Sequence, residues 1–172
     1  LAIADYTKAI ELNNNDSEAY NNRGIAYGII GEFDRAIADL DRAIELNPAD
    51  AEAYNNRGLV YHHNGKIAQA IKDYNRAIEI KPDYAVAYYN RAGGHRKNGE
   101  IGRAITDYTK AIELDPGSAL AFYERGAAYF QEANRESSLE LLDSAIADFS
   151  RVIEVNPRYE NAYYSRATAY DL

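Results

Sequence analysis

Residues 51–84 read AEAYNNRGLVYHHNGKIAQAIKDYNRAIEIKPDY, and close variants of this segment occur on both sides of it. The four prolines of the chain mark the period, since Pro48, Pro82 and Pro116 are 34 residues apart and Pro157 follows after 41. A fixed period of this size is typical of a repeat array, in which each unit buries its apolar face against its neighbours. We therefore expect the function to lie in the surface that the stacked units present.

The period divides the 172 residues into units of one single array. We predict full units at residues 17–50, 51–84 and 85–118, a longer unit at 119–159, and partial units at 1–16 and 160–172. Each full unit has apolar and aromatic residues at helical spacing in two segments, so it predicts two helices. Gly31, Gly65 and Gly99 mark the turn between them, and proline stops the second helix. Asp50 and Ser118, at the ends of units, are predicted N-caps of the next first helix. Residues 1–16 are then a second helix and residues 160–172 a first helix of truncated repeats, so we expect a fragment of a larger protein.

Small and large residues alternate at fixed positions, counted from the first residue of each unit. Position 4 holds Tyr20, Tyr54, Tyr88, Phe122 and Tyr163; position 8 holds Gly24, Gly58, Ala92, Gly126 and Ala167; position 24 holds Tyr6, Leu40, Tyr74, Tyr108 and Phe149. This pattern, with its period and its prolines, resembles the tetratricopeptide repeat over essentially the whole chain. The resemblance implies an all-α fold, a right-handed superhelical solenoid of antiparallel helix pairs. Small residues let two helices approach, and the rings fill the space around them.

One arginine recurs in every predicted first helix, and one aspartate recurs in every predicted second helix. Position 7 holds Arg23, Arg57, Arg91, Arg125 and Arg166, and position 23 holds Asp5, Asp39, Asp73, Asp107 and Asp148. The family usually has leucine at position 7, so the arginine is a departure. It would serve either as a ladder for acidic ligands or as half of a repeated structural pair. We favour the pair, because it leaves no guanidinium buried without an acceptor.

The resemblance to peptide-binding members implies a concave groove lined by positions 2, 5, 6, 9, 12 and 13. Position 6 holds Asn22, Asn56 and Asn90, which looks like the asparagine ladder of O-linked N-acetylglucosamine transferase. An amide both donates and accepts, so it suits a peptide backbone of any sequence. The alternative is that these amides are solvated residues typical of this repeat subtype.

Position 5 and the end of the first helices add further candidates. Position 5 holds Asn21 and Asn55, and then Tyr89, Tyr123 and Tyr164. An exposed aromatic row is a common anchor for a partner, although each ring would alternatively lie flat on its own helix. His63, Arg96 and Lys97 add positive charge near the middle of the expected groove.

A carboxylate clamp of the kind found in chaperone-tail receptors is not expected. That clamp uses Lys, Asn, Asn, Lys and Arg at set positions of three successive units. The matching residues here are Asn21, Ile25, Asn56, Val86 and Asn90. Only Asn56 fits, and starting one unit later also gives a single match.

Composition and motifs speak against several other classes. The net charge of −8, from 19 basic and 27 acidic residues, disfavours nucleic acid as a partner. The chain has no cysteine, and no apolar run is long enough to span a membrane. His62 and His63 are adjacent and would point apart on a helix, so they do not predict a metal site. We expect no catalytic residue, no metal, no cofactor and no enzyme activity, and we place the protein in the cytoplasm.

Seven extra residues lie between Phe130 and Ala145. Since seven residues make about two helical turns, we predict one additional turn in each helix and a protruding hairpin. Ser137 and Glu140 have the spacing of a capping box, and Leu139 would begin the apolar face of the second helix. The hairpin is either a contact site or a tolerated insertion.

Three functions remain open. The first is a protein-interaction scaffold that binds an extended or helical peptide in the concave groove. The second is a self-assembling module that stacks head to tail through uncapped terminal helices, forming a homo-oligomer. The third is a non-catalytic substrate-recognition region of a larger enzyme.

Overall fold

The computed structural model describes residues 2–172, and every regular element in that range is an α-helix, which confirms the all-α prediction. The helices are α1 (Ala2–Leu12), α2 (Ser17–Ile29), α3 (Phe33–Leu46), α4 (Ala51–His63), α5 (Ile67–Ile80), α6 (Ala85–Lys97), α7 (Ile101–Leu114), α8 (Ala119–Glu136), α9 (Leu139–Val155) and α10 (Glu160–Tyr170). Neighbouring helices pack as antiparallel pairs, for example α2 with α3, α4 with α5 and α8 with α9.

The chain packs as two compact units, one that ends at Asn90 and one that spans Arg91–Leu172. The first unit contains α1 to α5 and the first part of α6. The second unit contains the rest of α6 and α7 to α10. The predicted repeat boundaries stay a prediction.

Short-range sequence signals set the ends of the helices. Gly31 and Gly65 have φ values of 79° and 76°, a left-handed conformation that glycine adopts without steric cost. Asp50 caps α4 by accepting hydrogen bonds from the backbone N–H groups of Glu52 and Ala53. Ser118 caps α8 in the same way through Ala121 N–H. Both caps were expected, because they satisfy donors that the first turn of a helix leaves unpaired.

Each helix pair is held by a small residue of the first helix facing a large one of the second. Tyr74 of α5 is 0% exposed, and a Cβ added at Gly58 of α4 would lie 2.6 Å from its Cε1 atom. Gly126 of α8 faces Phe149 of α9 in the same manner. The glycines therefore set the distance between paired helices, as the alternation of small and large residues predicted.

The extra seven residues lengthen both helices of one pair, as predicted. Helix α8 has 18 residues where α2 and α4 have 13, and α9 has 17 where α5 has 14. The predicted capping box is wrong. Ser137 adopts a left-handed conformation that ends α8, with φ of 53°, and the neighbouring Ser138 caps α9 by accepting from Leu141 N–H.

The expected apolar face of α9 begins one turn later than predicted. Leu139 is 73% exposed, because it lies in the first turn of α9 at the tip of the hairpin. Leu142 is buried instead, together with Ala133 of α8 and Ala169 of α10. The lengthened pair thus packs along α10 as well as on itself.

Candidate peptide-binding surface

One face of α2 and one face of α4 each carry an acid, an amide and an aliphatic residue in the same order. Residues at spacing i, i+4, i+7 and i+11 lie on one side of a helix. On α2 these residues are Glu18, Asn22, Ile25 and Ile29, and on α4 they are Glu52, Asn56, Leu59 and His63. Because α2 and α4 contact each other, the two rows form one surface within the first unit. We call this surface the α2–α4 face.

The asparagines at positions 5 and 6 of successive units form hydrogen bonds with one another. Asn56 donates from Nδ2 to Oδ1 of Asn21 at 3.0 Å, and Asn90 donates to Oδ1 of Asn55 at 2.8 Å. Asn21 in turn donates to Oδ1 of Asn22 at 3.4 Å. Each bond between helices joins position 6 of one unit to position 5 of the unit before it.

This network divides the asparagines into two kinds. Asn21 and Asn55 are buried, and Asn55 is only 2% exposed. Their side-chain oxygens hold the side chains of Asn56 and Asn90 in place. A direct contact of Asn21 and Asn55 with a peptide stays a prediction, and their burial does not favour it. Asn56 and Asn90 are half-buried, and their amide oxygens accept no hydrogen bond within residues 2–172. The network therefore turns these two side chains into hydrogen-bond acceptors for an incoming group.

An apolar cleft of about 440 Å³ opens between α2 and α4. Its lining consists of Ile25, Gly28, Ile29, Gly31, Phe33, Asn56, Leu59, Val60 and His63. Ile29 is 81% exposed at the cleft. A Cβ at Gly28 would lie 3.1 Å from Cγ2 of Val60, so the glycine lets α2 approach α4 closely at this point. No carboxylate lines the cleft, and its volume falls in the range of small ligand sites. It suits one bulky apolar side chain.

The predicted tyrosine row has members of different character. Tyr89 is half-buried in the first unit, whereas Tyr123 and Tyr164 belong to the second. The Tyr123 ring packs 5.1 Å from the ring of Tyr159, and its hydroxyl lies 3.3 Å from Oγ of Ser165. Tyr164 is 78% exposed. The side chain of Tyr123 thus contributes to packing within the second unit. A contact of the three rings with a peptide stays a prediction.

The predicted positive charges are also unequal. His63 is exposed at the cleft, and Lys97 is exposed at the end of α6. Arg96 forms an ion pair with Glu124, Nη2 to Oε2, at 2.9 Å. Glu124 stands at position 6, where the preceding units have asparagine, so this pair replaces the amide in the second unit.

The recurrent arginines are structural, as predicted. Arg57 binds Asp73 with two hydrogen bonds of 2.8 and 2.7 Å, and its Nη1 reaches Asp41 of α3 at 2.7 Å. Arg23 binds Asp39 in the same way, and these hydrogen bonds raise the pKa of Arg23 more than burial lowers it. Arg57 of α4 thus joins α5, the second helix of its own pair, to α3, the second helix before it.

Models of one family match most of the chain. A tetratricopeptide repeat model matches residues 30–85, another matches residues 5–38, and a TPR repeat model matches residues 95–132. The chain belongs to the tetratricopeptide repeat family. Proteins of this family are generally non-catalytic scaffolds. A search among curated proteins gave no match.

Solved tetratricopeptide repeat structures have the same fold. The crystal structure of MamA is 29% identical, with a TM-score of 0.77, over 92% of this chain and 89% of that one. YrrB, described as a TPR protein with an unusual peptide-binding site, is 26% identical, with a TM-score of 0.76, over 96% and 82%. The first TPR domain of Spaghetti (RPAP3), bound to the HSP90 peptide SRMEEVD, is 26% identical, with a TM-score of 0.64, over 70% and 90%.

Residues 2–172 contain no cluster of three or more His, Asp or Glu side chains arranged to hold a metal ion. None of the helices in that range combines the length and apolar character that a membrane span requires.

Sequence reasoning missed part of the α2–α4 face. Phe33 and Val60 line the cleft, although they lie outside the groove positions that the tetratricopeptide resemblance implied. Glu18 and Glu52 were not singled out either. The signal that would have found both glutamates is the shared spacing of acid, amide and aliphatic residue along α2 and α4.

Proposed function

We propose that the protein is a non-catalytic interaction scaffold that binds a segment of a partner protein on its α2–α4 face. The observation that carries the proposal is the apolar cleft of about 440 Å³ with Asn56 in its wall. A cleft that buries an apolar anchor beside a fixed hydrogen-bonding group is a common plan for peptide recognition. The peptide-binding site named for YrrB and the peptide bound to the Spaghetti domain are consistent with such a use.

The amides supply the second half of the recognition. The Oδ1 atoms of Asn56 and Asn90 accept N–H groups of the peptide backbone, and Asn22 offers its Nδ2. Tyr89 lies next to Asn90 in sequence and adds an aromatic contact. Tyr123, Tyr164 and Lys97 belong to the second unit, and a contact of these residues with a partner stays a prediction. The clamp that grips a C-terminal carboxylate is not part of this proposal.

The test is a comparison of affinities for peptides selected from a random phage library against the wild-type chain. Replacing Asn22, Asn56 and Asn90 together by Ala should weaken binding by about tenfold or more, since each net hydrogen bond contributes about 0.5–1.5 kcal/mol. The matched control is Asn14→Ala, an exposed asparagine in the turn before α2. Unchanged affinity in a variant whose thermal unfolding matches the wild type would refute the role of the amides.

A second candidate, head-to-tail self-association, is favoured by Arg166. This arginine donates to Oγ of Ser150 at 3.1 Å but has no carboxylate partner among residues 2–172. Asp5 of α1 is exposed and likewise has no arginine partner there. Stacking α1 of one copy on α10 of another would restore the pair that every other arginine of the series forms.

Charge exchange tests this second candidate by sedimentation equilibrium. Arg166→Asp alone and Asp5→Arg alone should each abolish self-association, whereas an equimolar mixture of the two variants should associate. Arg42→Asp, which changes the charge of an arginine that meets only Glu45, is the matched control. A wild-type chain that stays monomeric at millimolar concentration would exclude the idea.

A further inference from the structure

We infer that the α2–α4 face selects an extended segment with a basic residue at one end and a bulky aliphatic residue about three positions away. The inference rests on the proposed scaffold function and names the class of partner. It follows from the placement of two unpaired carboxylates, two amides and one apolar cleft along the same two helices.

The carboxylates of Glu18 and Glu52 are available to a ligand. Both residues are exposed in the first turns of α2 and α4, and no Lys or Arg pairs with either within residues 2–172. An acid in the first turn also favours its own helix dipole. The repeat does not require it, however, because α6 and α8 have no acid in their first turns and carry Val86 and Leu120 at this position.

The opposite end of the same face is apolar. Ile25 and Leu59 stand seven residues after the two glutamates and line the cleft, which no carboxylate enters. A charged side chain would lose its hydration there without gaining a partner of opposite charge. The cleft therefore takes an aliphatic side chain such as leucine, and the glutamates take the basic one.

Helix and strand geometry set the spacing between the two anchors. Seven helical residues at about 1.5 Å each separate carboxylate and cleft by roughly 10 Å along the axis. An extended peptide covers this distance in about three residues of roughly 3.3 Å. Asn56 lies between the two ends, and its Oδ1 can accept a backbone N–H of the intervening residues because its Nδ2 is held by Asn21. A basic residue and an aliphatic residue three apart thus meet both subsites at once.

The experiment is a titration of the ¹⁵N-labelled chain with capped synthetic hexapeptides, followed by amide chemical shifts. The probe is acetyl-SKSTLS-amide, with the reversed order SLSTKS covering the opposite chain direction. One of the two should shift resonances of α2 and α4. Changing the leucine to serine should weaken binding by about 30-fold, and changing the lysine to glutamate by about fivefold.

A charge exchange in the protein separates recognition from folding. In the chain order that binds, the double variant Glu18→Lys with Glu52→Lys should lose its preference for the lysine peptide and prefer the glutamate peptide, SESTLS or SLSTES. The matched control is Glu45→Lys with Glu79→Lys, the same charge change on α3 and α5, where both glutamates pair with arginines of their own helices. The control should keep the wild-type preference.

The outcomes distinguish this inference from the proposed function. If phage-selected peptides bind the α2–α4 face but the lysine and glutamate peptides bind equally in both chain orders, the charge rule is wrong and the scaffold function stands. If Leu59→Glu leaves the affinity for the selected peptides unchanged, the cleft is not the anchor site. If no peptide of any sequence perturbs α2 or α4, both the inference and the proposed function fail.

Discussion

Replacing Tyr74 by phenylalanine should stabilise the protein, although it removes a polar group from the core. Tyr74 is 0% exposed, and its hydroxyl oxygen has no hydrogen-bond partner within residues 2–172. Burying an unpaired hydroxyl costs about 1–3 kcal/mol in proteins. Phe149 occupies the matching place in α9 against Gly126 and is 1% exposed, so a phenyl ring fits this environment.

The magnitude follows from these two facts. We expect Tyr74→Phe to raise the free energy of unfolding by about 1 kcal/mol, the lower end of that range. For a chain of this length the midpoint of thermal unfolding should rise by roughly 2–4 °C. Urea unfolding at pH 7, followed by circular dichroism at 222 nm, measures the change. Tyr170→Phe is the control, because Tyr170 is 67% exposed and its replacement should change nothing.

The same substitution should alter the response to alkaline pH. Burial, and then the charge of Asp73, raises the pKa of Tyr74 above its ordinary value of about 10. The pKa of Tyr74 is higher in the folded state than in the unfolded state. Its contribution to the free energy of unfolding is therefore fully present below pH 10 and is lost as the pH rises further. The wild type should therefore lose stability more steeply above pH 10 than Tyr74→Phe does. A variant that is less stable at pH 7, or that keeps the wild-type slope, would contradict the assignment of an unpaired buried hydroxyl.

Three further tests, each by urea unfolding, address an ion pair, a helix contact and a helix cap. Asp73→Ala should cost about 3–5 kcal/mol by leaving Arg57 without its main acceptor, and adding Arg57→Leu should recover most of that loss. Gly58→Ala should destabilise despite the better helix propensity of alanine, because its Cβ would lie 2.6 Å from the Tyr74 ring; a stabilised variant would show that the pair can separate freely. Ser138→Ala should cost about 1 kcal/mol as the loss of a cap, whereas Ser137→Gly should stabilise by relieving a left-handed backbone; the opposite pattern would restore the capping box.

The helix pairs were predictable because their signals are local and repeated. Gly31 and Gly65 end helices in the left-handed conformation, and Asp50 caps the next helix, each within a few residues of where the pattern placed it. The pairing of Arg57 with Asp73 was predictable for a related reason. Two residues that recur together in every unit occupy the same environment each time, so one contact explains the whole series.

The hairpin tip was harder to predict because its two serines compete for one role. Ser137 and Ser138 both have side chains that can cap a helix. The choice depends on where α8 ends, and α8 continues through Glu136 before Ser137 closes it in a left-handed conformation. A shift of one residue in the preceding helix therefore moved the cap and left Leu139 exposed. No local pattern in this segment contains that information.

The candidate site was predictable as a set of positions but not as a set of partners. The sequence places Asn55 and Asn56 next to each other, yet one is buried under Asn90 and the other faces outward with its oxygen unbonded. This difference arises from contacts between successive first helices, 35 residues apart in the chain. The cleft also depends on Phe33, which belongs to the following helix. Both features exist only once the helices are packed.

The variation among the repeats of this one chain separates its structural positions from its candidate binding positions. Where the packing environment recurs, the residue recurs as well, and arginine stands at position 7 of every unit. Position 2 instead changes from Glu18 and Glu52 to Val86 and Leu120, although the helices that carry it begin alike. Packing therefore does not choose the residue at position 2. A contact with a partner outside the array can determine this residue. Both acids lie on the two helices that enclose the cleft. That coincidence is the physical reason to seek the partner on α2 and α4.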